Sequence, residues 1–235
     1  MLVKAFAGDS GATVLEISGA DVHNKYVGEG EKTIQAIFSL ARKLHPCVVF
    51  IDEVDGMFGR RGAEDKRHQR TELNQFLREW DGMSSELGHE RIVLIAATNR
   101  PFDIDDAVLR RLPLRILIDI PEVRDRAEIL RIHLQGETLA PDVSIDELAR
   151  TTPFYTGSDL KNLVVAAAVH CVREMVAARK QARDAKEAEA TAPRRVLRME
   201  HLIKARNEIR PGTSKEALAA IREFHCKYGN TSRQD

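Results

Sequence analysis

The sequence predicts an α/β domain with a parallel sheet flanked by helices, followed by an all-helical domain, and three observations predict it. Over the first two-thirds of the 235 residues, short β-branched runs alternate with longer amphipathic stretches, the pattern of strands joined by helical crossovers. Two of the runs, Val48-Val49-Phe50-Ile51 and Ile92-Val93-Leu94-Ile95, are apolar throughout, as strands buried on both faces must be. After Pro121 only helical periodicity remains. The expected division is therefore an α/β domain over residues 1–121 and a helical domain over residues 122–235.

Each element follows from local pattern. The candidate strands are Thr13–Ile17, Cys47–Ile51, Ile92–Ala97 and Arg115–Ile118. Between them, Glu31–Leu44 carries Ile34, Ile37, Phe38 and Ala41 at helical spacing, and Arg70–Trp80 carries Leu73, Phe76, Leu77 and Trp80, so both read as helices. Gly59–His68, rich in glycine and charge, reads as an exposed loop. Beyond Pro121, helices are expected over Arg124–Gln135, Ser144–Arg150, Ser158–Ala178 and Met199–Glu208. Asp142 and Ser144 are candidate start signals for the second of these, and Gly157-Ser158-Asp159 is a candidate cap for the third. Lys180–Ala192, full of Ala, Lys and Glu, reads as a solvated helix extension, and Pro211-Gly212-Thr213 opens a last helix over Lys215–Tyr228.

Composition sets the class of protein without its chemistry. Hydrophobic residues make up 43% and charged residues 31%, the values of an ordinary globular chain. The 36 basic residues balance 36 acidic ones, so no broad field recruits nucleic acid or an anionic membrane. No apolar run reaches the roughly 20 residues that span a bilayer, and Met1–Gly11 lacks the layout of a signal peptide. Cys47, Cys171 and Cys226 are far apart and form neither a metal spacing nor a disulfide framework, which points to a reducing, intracellular setting.

The chemistry begins at Val48-Val49-Phe50-Ile51-Asp52-Glu53. A buried strand that ends in two carboxylates places them at the carboxyl edge of a parallel sheet, where open α/β folds bind ligands. Asp52 could hold Mg²⁺ through water and Glu53 could polarise an attacking water; a strand that merely ends in a polar turn is the bland alternative. Upstream, Lys25-Tyr26-Val27-Gly28-Glu29 sets an aromatic between a lysine and a glycine ahead of a helix. Downstream, Ile92–Ala97 runs into Thr98-Asn99-Arg100-Pro101, and Leu109-Arg110-Arg111-Leu112 precedes the last candidate strand.

In this order the set resembles the AAA family of ATPases along nearly the whole chain: Walker B motif, pore loop, sensor-one asparagine and arginine fingers. It looks closest to the meiotic group that contains katanin, spastin and the membrane-protein-extracting ATPases of mitochondria and peroxisomes, on Arg110-Arg111-Leu112-Pro113 and the ending Lys227-Tyr228-Gly229. The resemblance implies a P-loop NTPase core with a helical lid domain, using ATP and Mg²⁺. It makes Asp52 the metal carboxylate, Glu53 the catalytic base, Asn99 the group that orients water or touches the terminal phosphate, and Arg110 and Arg111 the fingers that reach a neighbouring subunit's nucleotide. Lys25, Tyr26, Val27 and Gly28 would line a pore and grip extended polypeptide. His133 matches a family histidine near the ribose or base, and Gly157 and Ser158 match the lid turn beside adenine. Gly59-Arg60-Arg61-Gly62 matches a second pore loop or a plain solvated loop.

One family feature is missing from the sequence. The loop G-x-x-x-x-G-K-[ST] occurs nowhere in the 235 residues; Met1–Ala7 looks like the helix that follows it. In the family the strand leading into that loop lies between the last strand and the third, so its loss would leave two internal edges unpaired. Two explanations compete: a fragment of a longer ATPase, which the retained Glu53, Asn99, Arg110 and Arg111 favour, or a paralogue that no longer binds nucleotide. The expected function is a motor subunit in a homo-oligomeric ring, a hexamer by family, that couples ATP hydrolysis to remodelling, extraction or unfolding of protein substrates. A non-catalytic partner that lends its arginines to intact AAA subunits is the alternative, and a clamp-loader or helicase relative is a third that the balanced charge and Tyr26 argue against. The subfamily points to the mitochondrial or peroxisomal outer surface, with the cytoplasm otherwise.

Overall fold

The computed structural model describes residues 2–18, 29–59, 66–85, 92–184 and 195–230. They form two compact units, the first running to Ile116 and resuming at Ile221, the second spanning Leu117–Ala220. The expected boundary at Pro121 thus falls a few residues inside the second unit, and the second half of the last helix belongs to the first unit.

The first unit contains α1 (Leu2–Ser10), β1 (Thr13–Ile17), α2 (Glu29–Lys43), β2 (Cys47–Ile51), α3 (Val54–Phe58), α4 (Lys66–Ser85), β3 (Ile92–Ala96), a 3₁₀ turn (Pro101–Asp103) and α5 (Asp106–Arg111). The described strands make a parallel sheet in the order β1-β2-β3. Register is unbroken, with Thr13 opposite Cys47, Cys47 opposite Ile92, Ile17 opposite Ile51 and Ile51 opposite Ala96. β2 is the middle strand, and Cys47, Val48, Val49 and Ile51 are buried, which its uninterrupted apolar run anticipates. Ile34, Phe38 and Ala41, one face of α2, pack with Val49 and Ile51 of β2 and with Phe76 and Leu77 of α4. Phe76 is the hub: its ring centroid lies 5.3 Å from Phe38, 4.6 Å from Phe58 and 5.5 Å from Trp80. Each such fully buried side chain is worth roughly 1.5–3 kcal/mol of transfer free energy.

The second unit contains α6 (Val123–His133), α7 (Ile145–Arg150), α8 (Gly157–Asp184), α9 (Met199–Glu208) and the start of α10 (Lys215–Tyr228). Leu130, Leu148, Leu160, Leu163, Leu197 and Leu202 are all fully buried in one cluster. Asp159 sits where the loops meet. Its carboxylate accepts the Thr156 N–H at 2.9 Å, the Thr156 hydroxyl at 2.9 Å and the Gly212 N–H at 3.1 Å. Burial pushes the Asp159 carboxyl up, but the Thr156 amide, the Gly212 amide and the Thr156 hydroxyl together outweigh it, and the net value is lowered.

Several sequence expectations change. Arg115–Ile118 is not a strand: no strand pairs with it among the described residues, and Leu114, Ile116 and Ile118 are 67%, 75% and 73% exposed. A β-branched apolar run makes a strand only where a ladder exists to join. The backbone of Arg115 is met by Asn230 instead, whose side-chain oxygen accepts the Arg115 N–H at 2.9 Å and whose N–H donates to the Arg115 carbonyl at 3.3 Å. The cap of α8 is Thr156, whose hydroxyl accepts the Asp159 N–H at 3.2 Å, so the helix begins at Gly157 rather than Ser158. Ser144 does cap α7, accepting the Glu147 N–H at 3.3 Å. Asp142 instead accepts the Met199 N–H at 3.1 Å and secures the start of α9. α4 begins at Lys66, inside the expected loop, and α8 continues to Asp184, with the rest of Lys180–Ala192 outside the described residues. Cys47 and Cys171 are buried, Cys226 is exposed, and all three are free thiols.

A group whose value is lowered in the fold adds stability at pH values above its unfolded value, near 4 for aspartate, and that stability disappears as pH falls through the lowered value. Asp159→Asn is therefore expected to lower the thermal midpoint at pH 7, with the gap to wild type narrowing as pH falls below the ordinary aspartate range. Melting curves by circular dichroism at stepped pH check this.

Candidate functional site

The ladder of the sheet does not stop where the strands do. Beyond the last register pairs, Asp52 N–H donates to the Ile17 carbonyl at 3.2 Å, Ala97 N–H to Ile51 at 2.8 Å and Val54 N–H to Ala97 at 3.0 Å. The segments following β2 and β3 are thereby stitched together at one edge of the sheet. Asp52-Glu53 and Thr98-Asn99 leave that edge side by side, as the parallel register demands.

The turn at Asp52-Glu53 is tight and strained. Glu53 has φ 49° and ψ 47°, the left-handed region that costs a residue with a Cβ about 1–2 kcal/mol. Its neighbours hold it there. The Glu53 N–H donates to Asp52 Oδ1 at 3.0 Å, the Gly56 N–H donates to the Glu53 carbonyl at 2.8 Å, and Val54 is buried. Both carboxylates stay exposed. Asp52 keeps one oxygen outside this turn's hydrogen bond, a hard donor of the kind Mg²⁺ takes when it retains most of its waters.

On the neighbouring segment, Thr98 Oγ1 donates to Asp55 Oδ1 at 2.6 Å and accepts the Arg100 N–H at 2.8 Å. This polar staple fixes the turn that carries the exposed Asn99. Asp55 and Thr98 are positioning groups that the sequence reading passed over. Their signal was present as a third carboxylate in the first turn after Asp52-Glu53 and a threonine directly before Asn99.

The arginines are placed through α3 and α5. Phe58 O accepts the Asp105 N–H at 3.0 Å, and Gly59 bridges to Ile104. Gly59 has to be glycine, since a Cβ there would lie 2.3 Å from the Asp55 carbonyl oxygen. Asp105 then caps α5, accepting the Ala107 N–H at 2.7 Å, and Val108 is fully buried beneath the helix. The two arginines on its last turn differ sharply. Arg110 is exposed, with no hydrogen bond or ion pair among the described residues. Arg111 forms a two-pronged pair with Asp81 of α4, Nε to Oδ1 and Nη2 to Oδ2 each at 2.6 Å, and its Nη1 donates to the Ala107 carbonyl at 3.1 Å. The hydrogen bond from Arg111 holds the Asp81 carboxyl below its usual range.

The remaining candidates lie elsewhere. His133 is the last residue of α6 and is half-buried; Gly157 and Ser158 open α8, with Ser158 exposed. A Cβ on Gly157 would meet nothing within 4 Å, so packing within the chain does not require a glycine there. His133 and the Gly157-Ser158 turn belong to the second unit, and Asp52, Glu53, Asn99, Arg110 and Arg111 to the first. Lys25, Tyr26, Val27 and Gly28, like Arg60-Arg61-Gly62, lie outside the described residues. Among the described residues no cluster of three or more His, Cys, Asp or Glu side chains forms a metal cage, and no helix is long and apolar enough to cross a membrane.

Comparison with known proteins gives two family matches: the ATPase family associated with various cellular activities (AAA) over residues 1–120, and the AAA+ lid domain over residues 142–187. The chain is 38% identical to the cell division cycle protein 48 homolog of Archaeoglobus fulgidus, covering 97% of this chain and 31% of that one. It is 45% identical to the ATP-dependent zinc metalloprotease FtsH 1 of a Thermoanaerobacter species, over 74% of this chain and 29% of that one. It is 36% identical to spastin of Gallus gallus, over 99% of this chain and 37% of that one. The chain thus spans about a third of the length of the curated relatives it matches. The crystal structure of the FIGL-1 AAA domain in complex with ADP superposes with a TM-score of 0.78 at 29% identity, over 96% of this chain and 73% of that one.

If Arg111 is a cis ligand of Asp81, removal of either partner removes the same interaction. Arg111→Ala and Asp81→Ala should each lower the urea midpoint, and the double variant should fall no further than the larger single effect. Arg110→Ala should leave the midpoint unchanged. Equilibrium denaturation of the four chains measures all of these.

Proposed function

The chain belongs to the AAA family of ATPases, and on that premise we propose that it is a subunit of a ring-shaped motor, a hexamer, that uses ATP hydrolysis to remodel, extract or unfold protein substrates. The observation that carries the reading is the stitched edge of the sheet. The hydrogen bonds Ala97 to Ile51 and Val54 to Ala97 bring a carboxylate pair and an amide to one ligand-facing rim. Phosphoryl transfer asks a protein for positioning and charge stabilisation more than for covalent chemistry. This rim is built for that.

In this reading each group has one task. Asp52 would be the carboxylate that holds Mg²⁺. Glu53, aimed outward by its left-handed backbone, polarises the attacking water. Asn99, held on the turn stapled by Thr98 and Asp55, orients that water or contacts the terminal phosphate. Arg110, exposed and unpaired among the described residues, reaches a neighbouring subunit's site and neutralises charge there. Arg111 is the second finger of the pair, and its contact with Asp81 fixes the end of α5 from which both arginines reach. His133 and Gly157-Ser158 contact the nucleoside, and the open space over Gly157 suits a flat ring. Lys25, Tyr26, Val27 and Gly28 grip substrate in the pore. Mg²⁺-bound ATP supplies the phosphoryl group and the energy of its transfer. The ADP named for the FIGL-1 structure and the ATP dependence named for FtsH 1 support the nucleotide assignment.

The 235 residues hold no G-x-x-x-x-G-K-[ST] sequence, and in this reading the chain by itself binds ATP weakly. The second reading, a non-catalytic partner that lends a finger to intact AAA subunits, is supported by Arg110, exposed and with no side-chain partner among the described residues. Placement at the mitochondrial or peroxisomal outer surface follows the same subfamily resemblance.

The test is ATP turnover by the full-length protein that contains this module. Glu53→Gln should lower kcat by about 10²–10⁴ while leaving nucleotide affinity in place. Unchanged turnover would overturn the role of Glu53. If the chain instead stimulates an intact AAA subunit, and Arg110→Ala but not Glu53→Gln abolishes the stimulation, the second reading holds.

A further inference from the structure

Helix α8 buries one face and leaves the opposite face apolar. Leu160, Leu163, Val164, Ala167 and Cys171 are buried, on the side that packs against α9 and α6. Facing away from them, Val165, Val169, Val172 and Val176 are 55%, 43%, 43% and 60% exposed. A lone exposed valine needs no explanation. Four in one line, over roughly 16 Å at 1.5 Å per residue, make a strip that does. The intervals of four, three and four residues are those of a heptad a/d seam, narrower than the face a globular helix turns to its own core.

The charges beside that seam have one sign. Lys161 lies one turn before Val165, Arg173 one turn after Val169, and Arg179 and Lys180 follow Val176 by three and four residues. All four are exposed. Two acidic side chains described on the helix, Asp159 and Glu174, are engaged elsewhere. Asp159 holds Thr156 and Gly212, and Glu174, on the opposite face, accepts from Arg198 at 3.2 Å and meets His201 at 2.6 Å.

Residues flanking a heptad seam select its partner by charge. Two copies of α8 would set basic flanks against basic flanks, which is unfavourable. An anionic bilayer would match the charge, but interfacial helices bury Trp, Phe and Leu, and this strip is valine alone. Stiff β-branched valines suit the knobs and holes of helix pairing. We propose that the valine seam of α8 docks a helix from another protein, one that carries its own a/d apolar stripe flanked by Glu and Asp. The inference stands on the second unit alone and is independent of the nucleotide reading.

The experiment titrates the 235-residue chain into a fluorescent synthetic helix of about three heptads with Leu at a and d and Glu at e and g, followed by anisotropy. A twin peptide with Lys at e and g and vesicles containing phosphatidylserine serve as comparisons. The Glu peptide should bind saturably, and the Lys peptide should not. Val169→Asp with Val172→Asp should weaken binding at least about tenfold, with the fold checked by circular dichroism. Arg173→Glu with Lys180→Glu, at exposed positions that leave packing untouched, should switch preference to the Lys peptide. Equal binding of the two peptides, binding insensitive to these changes, vesicle binding without peptide binding, or valine-dependent self-association in sedimentation would each overturn the proposal.

Discussion

The whole first unit hangs on β2 being paired on both sides in parallel, in register, past its own end. A strand buried on both faces has no water to satisfy its amides, so its ladder must be complete. Cys47–Ile51 meets that demand with β1 on one side and β3 on the other. Its continuation through Asp52, Ala97 and Val54 carries the same constraint into the loops. Glu53 is forced left-handed because the residues on both sides of it are already committed, Asp52 to Ile17 and Val54 to Ala97. A backbone so over-determined can hold about 1–2 kcal/mol of local strain, and it is stored at the residue whose carboxylate projects from the rim.

Outward from that edge, each functional side chain is fixed by a positioning contact. Thr98 and Asp55 staple the turn that carries Asn99. The carbonyl of Phe58 and the cap of Asp105 seat α5, and Asp81 holds Arg111 at its end. The second unit uses the same economy around other centres. Arg126, buried, donates to the Ala149 carbonyl at 2.9 and 3.0 Å and to the Pro121 carbonyl at 2.7 Å. Asp159 ties the start of α8 to the loop before α10.

How much of this was legible in the sequence depends on how local its cause is. Cys47–Ile51 was readable to the residue because a strand buried in a sheet writes its burial into an apolar run; Thr13–Ile17, of which only Ile17 is buried, was readable from its β-branched ends alone. The pairing of Asp52-Glu53 with Asn99 was readable too, since both follow parallel strands directly. Arg115–Ile118 was misread because a short β-branched run says nothing about whether an edge is present to pair with; Asn230, far along the chain, meets its backbone instead. The capture of Arg111 by Asp81 joins residues 30 positions apart, and no local pattern announces it. Asp142 was read as a cap for α7, yet it serves the start of α9, because a short acid near a turn can satisfy whichever amide the fold brings closest. The valine seam of α8 lay inside a correctly read helix and was invisible until the opposite face proved to be the buried one.

The measurement that bears most directly on this account is amide hydrogen exchange at Ala97 and Val54, the two N–H groups that extend the ladder past the strands. Both residues lie outside the regular strands, and ordinary loop amides exchange quickly. If the sheet edge is stitched as described, both should exchange as slowly as Val49 in the middle of β2, and both should be released together when the first unit unfolds. Fast exchange at either position, with Val49 still protected, would mean that Asp52-Glu53 and Asn99 are not held at a common edge, and the site built on that edge would fall with it.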